Sequence, residues 1–479
     1  MKRIHQFTLA TVVTTFALLN PSGTAGAATD SDYEKLLHSI YKELIETNTT
    51  YSRGDTVLAA RKMAKRLLDA GYPPADVQVL ENAPRKGNLV ARLRSPEPVA
   101  GPILLLAHID VVEANPEDWE IDPFTLNEDD EYFYGRGTVD DKDEAAIHIA
   151  NLIRWKQEGY VPNRDIIVAL TADEEGGPDN GVQFLLANHR DLVDADLVIN
   201  EGGGGAILDG KYVSNAVQTA EKVYQSYTLE ITDSGGHSSR PKPFNPIYDL
   251  AAALTNIGQY QFPIELNETT RASIAATAQT QAPELAALSM GILAEPPEPA
   301  SISYFESIPG HNATIRTTCV ATMLEAGHAQ NALPQRATAT VNCRILPGNE
   351  PEDVRQTLIG LVNNEKISVT PVQPATPSDP SPLTDEIMTP IREITESMWP
   401  GVVVVPAMST GATDGLFFFY AGIPVYGVSG IFGDAKDSRA HGRDERLLKR
   451  SLYEGAAFLD QLTRRLTSPV DAAKAGTRL

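Results

Sequence analysis

Cysteine is nearly absent from this 479-residue chain, and with only Cys319 and Cys343 a disulfide-built scaffold is excluded. Basic side chains are also scarce. Forty Lys plus Arg stand against 63 Asp plus Glu, a net charge of −23, and such a field repels phosphate backbones and anionic lipid. Nucleic acid is therefore not an expected partner. No apolar run approaches the ~20 residues that a membrane-crossing helix needs. There is no internal repeat, heptad array or low-complexity tract. The remaining composition, 42% hydrophobic and 22% charged, is that of a folded globular protein, and the length calls for two domains.

Residues 1–27 begin with Lys2 and Arg3, continue through an apolar stretch over 7–19 and end in Ala25-Gly26-Ala27. That order of charge, grease and small residues is a secretory signal, cleaved after Ala27, with an uncleaved anchor as the alternative. The expected destination is the periplasm or the exterior, with no membrane span once the signal is removed. In an oxidising compartment Cys319 and Cys343 can pair; they read equally well as small buried hydrophobes.

Ser31 and Glu34 form a capping box ahead of a first helix. A second runs from about Asp55 with Ala60, Met63, Ala64 and Leu67 on one face, and Gly71, Pro73 and Pro74 stop it. Apolar runs over 103–107, 166–170 and 197–199 then alternate with helical patterns, one of them over 142–158. The fold class is α/β: a mostly parallel sheet flanked by helices. From about Tyr224 the pattern becomes alternating, as at 227–231 and 337–341, which predicts half-exposed antiparallel strands in an inserted α+β domain. The expected organisation is a signal over 1–27, a catalytic domain over 28–219, an inserted lid and dimerisation domain over 220–372, and the rest of the catalytic domain over 373–479.

Ligands of open α/β sheets bind beyond the carboxyl ends of the strands. At those ends the sequence puts His108 and Asp110, then Asp173, Glu174 and Glu175, then Glu201; Asp140 opens a helix and His441 precedes another. Each has an ordinary reading taken alone, as a capping Asp, a solvated Glu pair or a hydrogen-bonded His. Together, so many acids and imidazoles at one edge require cations, and the donor set suits zinc, manganese or cobalt better than calcium. His148 lies opposite the apolar positions Ala146, Ile149, Ala150 and Ile153 and reads as solvent-facing. His5, His38, His189, His311 and His328 fall outside the cluster.

These segments resemble a known family. The matching motifs are His108-Ile109-Asp110-Val111-Val112, Tyr134 through Lys142, Asp173-Glu174-Glu175, Ser234 through Ser239, Asn331-Ala332-Leu333-Pro334, Arg344 through Gly348 and Ala440 through Glu445. They are similar to the di-zinc aminoacylase and carboxypeptidase metallopeptidases of peptidase family M20, nearest to the carboxypeptidase S branch, which includes secreted N-acyl amino acid hydrolases. The resemblance implies two Zn2+ per chain, with Co2+ or Mn2+ as substitutes. His108 and Glu201 would hold one ion, Glu175 and His441 the other, and Asp140 would bridge them across a cis Asp140–Asp141 bond. It also implies Glu174 as general base, Asp110 as the carboxylate orienting His108, and His237 stabilising the oxyanion, often from a partner subunit. Asn331 and Arg344 would hold the substrate carboxylate. A guanidinium fork suits a carboxylate on its own chemistry, although a surface ion pair is the simpler reading of Arg344.

The implied reaction is hydrolysis of the amide next to a free-carboxylate amino acid, with short peptides as substrates. N-acyl amino acid hydrolysis is the alternative, and a catalytically dead binding module of the same fold is the rival from another class. A homodimer through the inserted domain fits the same resemblance. The segment from about 267 to 311 is long, rich in Ala and Pro, and unlike the shorter lids of simple deacylases.

Overall fold

A computed structural model of the protein describes residues 30–468; the signal expected over 1–27 lies outside the described residues. The backbone is organised around a ten-stranded mixed sheet. Its centre is parallel: Ile103–His108 pairs with Ile166–Thr171 on one side and Leu197–Asn200 on the other, and Val425–Gly427 continues the parallel run beside Leu197–Asn200. The antiparallel hairpin Val77–Ala83 and Lys86–Leu93 closes one edge. On the other side Lys211–Glu221 pairs in parallel with Val403–Ser409. Every residue of Ile103–His108 and of Ile166–Thr171 is buried, as continuous apolar runs covered by helices on both faces require.

The second helix spans Thr56–Asp69, and the Asp55 carboxylate caps it by accepting from the Leu58 amide at 2.9 Å. The first helix, Asp30–Ile45, already contains Ser31, so Ser31 sits in its first turn and not ahead of it. The helix Lys142–Glu158 forms as expected, but His148 is fully buried. That corrects its reading as solvent-facing. The helix is sandwiched between the strand Ile103–His108 and the helices Asp30–Ile45 and Lys449–Thr467, which leaves no polar face, and burial lowers the His148 pKa to about 4.

Residues 223–371 carry a separate antiparallel sheet, ordered Thr318–Ala326, Arg336–Ile345, Val223–Thr232 and Ser368–Pro371. Alternate residues of Arg336–Ile345 face a core built with the helices Pro246–Gln259 and Pro351–Val362, where Leu229, Ile231, Val341, Leu250 and Leu358 meet. The helices from Glu268 to Ile315 form their own small core around Ile274, Ile292, Phe305 and Ile315. Cys319 and Cys343 lie directly opposite each other on paired strands and are disulfide-bonded. Among the described residues no helix is long and apolar enough to cross a membrane.

The bond closes a loop with a sequence separation of 24. Replacing both cysteines with alanine is expected to destabilise this second sheet by roughly 3 kcal/mol in urea unfolding, through the freed entropy of the unfolded chain; an unchanged midpoint would mean the cross-link contributes nothing.

Candidate metal centre

Each strand of the parallel centre delivers a ligand from its carboxyl end. His108 is the last residue of its strand, Glu201 comes directly after Leu197–Asn200, and Glu174 and Glu175 lie just beyond Ile166–Thr171. Asp140 enters from the turn before Lys142–Glu158, and the Asp140–Asp141 peptide is cis. His441 comes from a turn near the C-terminus, where its own φ is +61°.

These six strand-end and turn residues converge. Asp140 stands between two imidazoles, with Oδ1 2.9 Å from His108 Nε2 and Oδ2 2.9 Å from His441 Nε2. Glu201 lies 3.9 Å from His108 Nε2 and Glu175 3.0 Å from His441 Nε2. Two trios result, His108–Asp140–Glu201 and Asp140–Glu175–His441, and within each the ligand atoms lie within 4.8 Å of one another. One imidazole with carboxylate oxygens in each trio is a donor set for a divalent transition ion. The residues present therefore fit the metal that the strand-end pattern demands.

The surrounding contacts hold the ligands in register. His108 Nδ1 is 3.1 Å from the backbone oxygen of Asp110, and donating there leaves the Nε2 lone pair directed at the cluster. The Asp110 carboxylate is 3.7 Å from that ring and instead accepts from the amides of Glu174 and Glu175 at 3.2 and 3.1 Å. Asp110 thus shapes the Glu174–Glu175 turn, while its carbonyl orients the imidazole. The Asp141 carboxylate accepts from the His108 amide at 3.2 Å.

Two contributors had no assigned role in the sequence. Glu445, fully buried, pairs with Arg136 and accepts from the Val139 amide at 2.9 Å. Arg136 in turn donates to the Gly442 carbonyl at 2.8 Å, so this pair fastens the His441 turn to the Asp140 turn. Both residues sit inside recognisable motifs, but their contact spans about 300 residues of chain and has no local signature.

Without a metal the cluster stores protons. Burial opposes protonation of His108, but the bond to Asp140 and the charges of Glu201 and Asp140 outweigh it and raise the pKa. The bond to Asp140 lifts His441 to about 9. Burial raises Glu201, and lifts Glu175 to about 7 and Glu174 to about 8. Asp140 moves the other way, since its bonds to His108 and His441 overcome burial and hold it well below the carboxylate range.

A cavity of roughly 1010 Å³ opens beside the cluster, walled by Glu174 and Glu175 on one side and Arg344, Lys222 and Tyr224 on the other. Arg344 thus joins the site from the second sheet. His237 and Asn331 do not line this cavity. They sit on an exposed two-stranded ribbon, Gly236–His237 with Ala332–Leu333, where His237 Nδ1 is 2.8 Å from Ser239 Oγ and the Asn331 carbonyl accepts from Ser238.

Comparison with known proteins agrees with this geometry. The model of peptidase family M20/M25/M40 matches residues 104–465. The chain belongs to that family. As a member it is a metal-dependent hydrolase. It is 29% identical over 77% of its length, and 75% of the relative's, to the N-fatty-acyl-amino acid synthase/hydrolase PM20D1 of Homo sapiens. It is 28% identical over 72% of its length, and 68% of the relative's, to a probable carboxypeptidase S-like protein of Dictyostelium discoideum. The fold is that of an M20 family metallo-carboxypeptidase from Sulfolobus solfataricus, with a TM-score of 0.65 at 19% identity over 90% of this chain and 99% of that one.

Because the ligands hold protons that a metal must displace, metal affinity is expected to rise with pH. Competition against a chromophoric chelator should show tighter loading at about pH 8 than at about pH 6, since His441 at about 9 and Glu175 at about 7 bind protons more fully in acid. An affinity independent of pH would contradict the proton-filled cluster.

Proposed function

We propose that the protein is an exported di-zinc hydrolase that cleaves the amide bond next to a free-carboxylate amino acid, acting on short peptides as a carboxypeptidase. The observation that carries this reading is one cavity lined both by Glu174 and Glu175 and by Arg344, so a candidate base and a candidate carboxylate receptor share it. In the proposed pose the substrate carboxylate meets the Arg344 fork, which lies over the Tyr224 ring at 4.8 Å. His108, Asp140 and Glu201 would hold one ion and Asp140, Glu175 and His441 the other. When bound, two such ions lower the pKa of water and polarise the scissile carbonyl.

Glu174 takes the proton from the attacking water and returns it to the leaving nitrogen. In the metal-free cluster burial pushes this carboxyl up to about 8 against the lowering charge of His108, and cations bound beside it would favour the ionised form that a base needs. Asp110 keeps Glu174 aimed by accepting from its amide. His237 would stabilise the oxyanion, and Asn331 would help hold the carboxylate. Their exposed position outside the cavity favours delivery to a second copy of the chain through the inserted domain. The edge strand Thr318–Ala326 supports such a homodimer, with Val320, Met323 and Leu324 each about 60% exposed. The Cys319–Cys343 bond supports an oxidising, exported location.

A second reading, N-acyl amino acid hydrolysis at the same site, is favoured by the name of the 29%-identical human relative. Release of free amino acid from a mixed panel of dipeptides and N-acyl amino acids separates the two. In either case Glu174→Ala should lower kcat by about 10²- to 10⁴-fold while metal content stays unchanged. A Glu174→Ala protein with full turnover would remove Glu174 as the base.

A further inference from the structure

The chain crosses from the large sheet to the second sheet at Glu221, the last residue of the strand Lys211–Glu221, and Lys222, the single residue before the strand Val223–Thr232. Both side chains are about 1% exposed, and both residues line the cavity that holds Arg344. They reach in different directions. The Glu221 carboxylate accepts from the amide of Thr413 at 3.1 Å, in the loop that contributes Ala412 to the cavity wall. Lys222 Nζ donates to the carbonyls of Ala313 and Arg316 at 2.9 and 2.8 Å, at the end of the helix Pro309–Ile315, and to Thr318 Oγ1 at 3.3 Å. A cation satisfying the last carbonyls of a helix is a stable arrangement.

Thr318 is the strand partner of Arg344, and Tyr224 is its partner on the opposite side. Lys222 therefore anchors the residue beside Arg344, and both side chains belong to the wall of one cavity. Among the described residues neither cation forms an ion pair, and the Arg344 guanidinium makes no hydrogen bond, resting instead over the Tyr224 ring. Burial, and next the Arg344 charge, pull the Lys222 pKa down to about 7, so near neutrality Lys222 is only partly protonated and an anion entering the cavity would draw the proton onto it. Two neighbouring cations without a carboxylate of their own are relieved by an anion arriving in the cavity.

We propose that Lys222 is a positioning and specificity-determining residue of the substrate site: by tethering Thr318 beside Arg344 and adding a second protonatable amine to the cavity wall, it makes the cavity select ligands with a free carboxylate over their neutral counterparts. This rests on the amide-hydrolase reading only for the identity of the ligand; the binding preference is testable without turnover.

The test is calorimetric binding of 4-phenylbutanoate, which carries no scissile amide, and of its carboxamide to the metal-loaded wild type, Lys222→Met, Lys222→Gln and Lys222→Arg, alongside kinetics on a hydrolysed free-carboxylate substrate. Lys222→Met should weaken the acid probe about tenfold and the carboxamide less than about twofold. Lys222→Arg, which keeps the charge, should stay within about threefold of wild type for the acid. In kinetics the loss should fall on KM, with kcat within about twofold of wild type. If Lys222→Met does not fold, Lys222→Gln keeps donors to the carbonyls and should show the same selective loss. Equal weakening of acid and carboxamide would reduce Lys222 to a structural role and overturn the proposal, as would wild-type affinity in Lys222→Gln, or a wild type that binds both probes alike. Selective binding by a wild type that hydrolyses nothing would sustain the Lys222 role and overturn amide hydrolysis.

Discussion

The Asp140 carboxylate, with one oxygen on each of two imidazoles, is the contact on which the whole site depends. It draws together His108, at the end of a central strand, and His441, more than 300 residues later in the chain, each at 2.9 Å. Four acids and two imidazoles gathered in a largely buried site would repel or remain protonated unless positive charge lay among them. The same cost explains the supporting contacts. Arg136 and Glu445 fasten the two turns that bring Asp140 and His441 face to face, and Asp110 accepts two amides to hold the Glu174–Glu175 turn. Metal binding exchanges protons for divalent charge in a frame already built.

The second sheet supplies the other half of the chemistry. Arg344 reaches the cavity from a strand whose inward residues build a separate core, so the proposed base and the proposed carboxylate receptor belong to different sheets. The helix Glu268–Ala278 packs along the strand Val403–Ser409, and smaller contacts join the two sheets near the cavity. Ala220, Leu346 and Met408 form a small shared cluster, and Glu221 and Lys222 bond outward to either wall. A cavity assembled this way is sensitive to how the sheets are held, which gives the buried crossover an influence on binding beyond its size.

Much of the site was legible in the sequence because strand ends in an α/β sheet share one edge. His108, Asp140, Glu175, Glu201 and His441 could be collected from the residues at the carboxyl end of each apolar run and at the helix starts beside them; Arg344 entered through the family resemblance, since on its own it reads as a surface ion pair. Tertiary cover was not legible. The side of Lys142–Glu158 that carries His148 reads as solvent-facing, yet His148 is buried and lies against the backbone of Leu106 in the strand Ile103–His108. The Arg136–Glu445 pair and the Lys222 tether depend on contacts between distant segments. The chemistry at Asp110 turned on a distinction too fine for spacing, since carbonyl and carboxylate of one residue serve different partners. His237 and Asn331 fall in motifs yet lie on an exposed ribbon outside the cavity, where the sequence of one chain says nothing of what a second copy brings.

Elemental analysis of the purified protein after zinc loading and removal of free metal, run beside Asp140→Ala, examines the shared carboxylate most directly. Two ions per chain in the wild type, with loss of both affinity and stoichiometry in Asp140→Ala, is the expected result, because both trios use Asp140. One ion or none in the wild type, or two firmly held ions without the Asp140 carboxylate, would contradict a bridged pair.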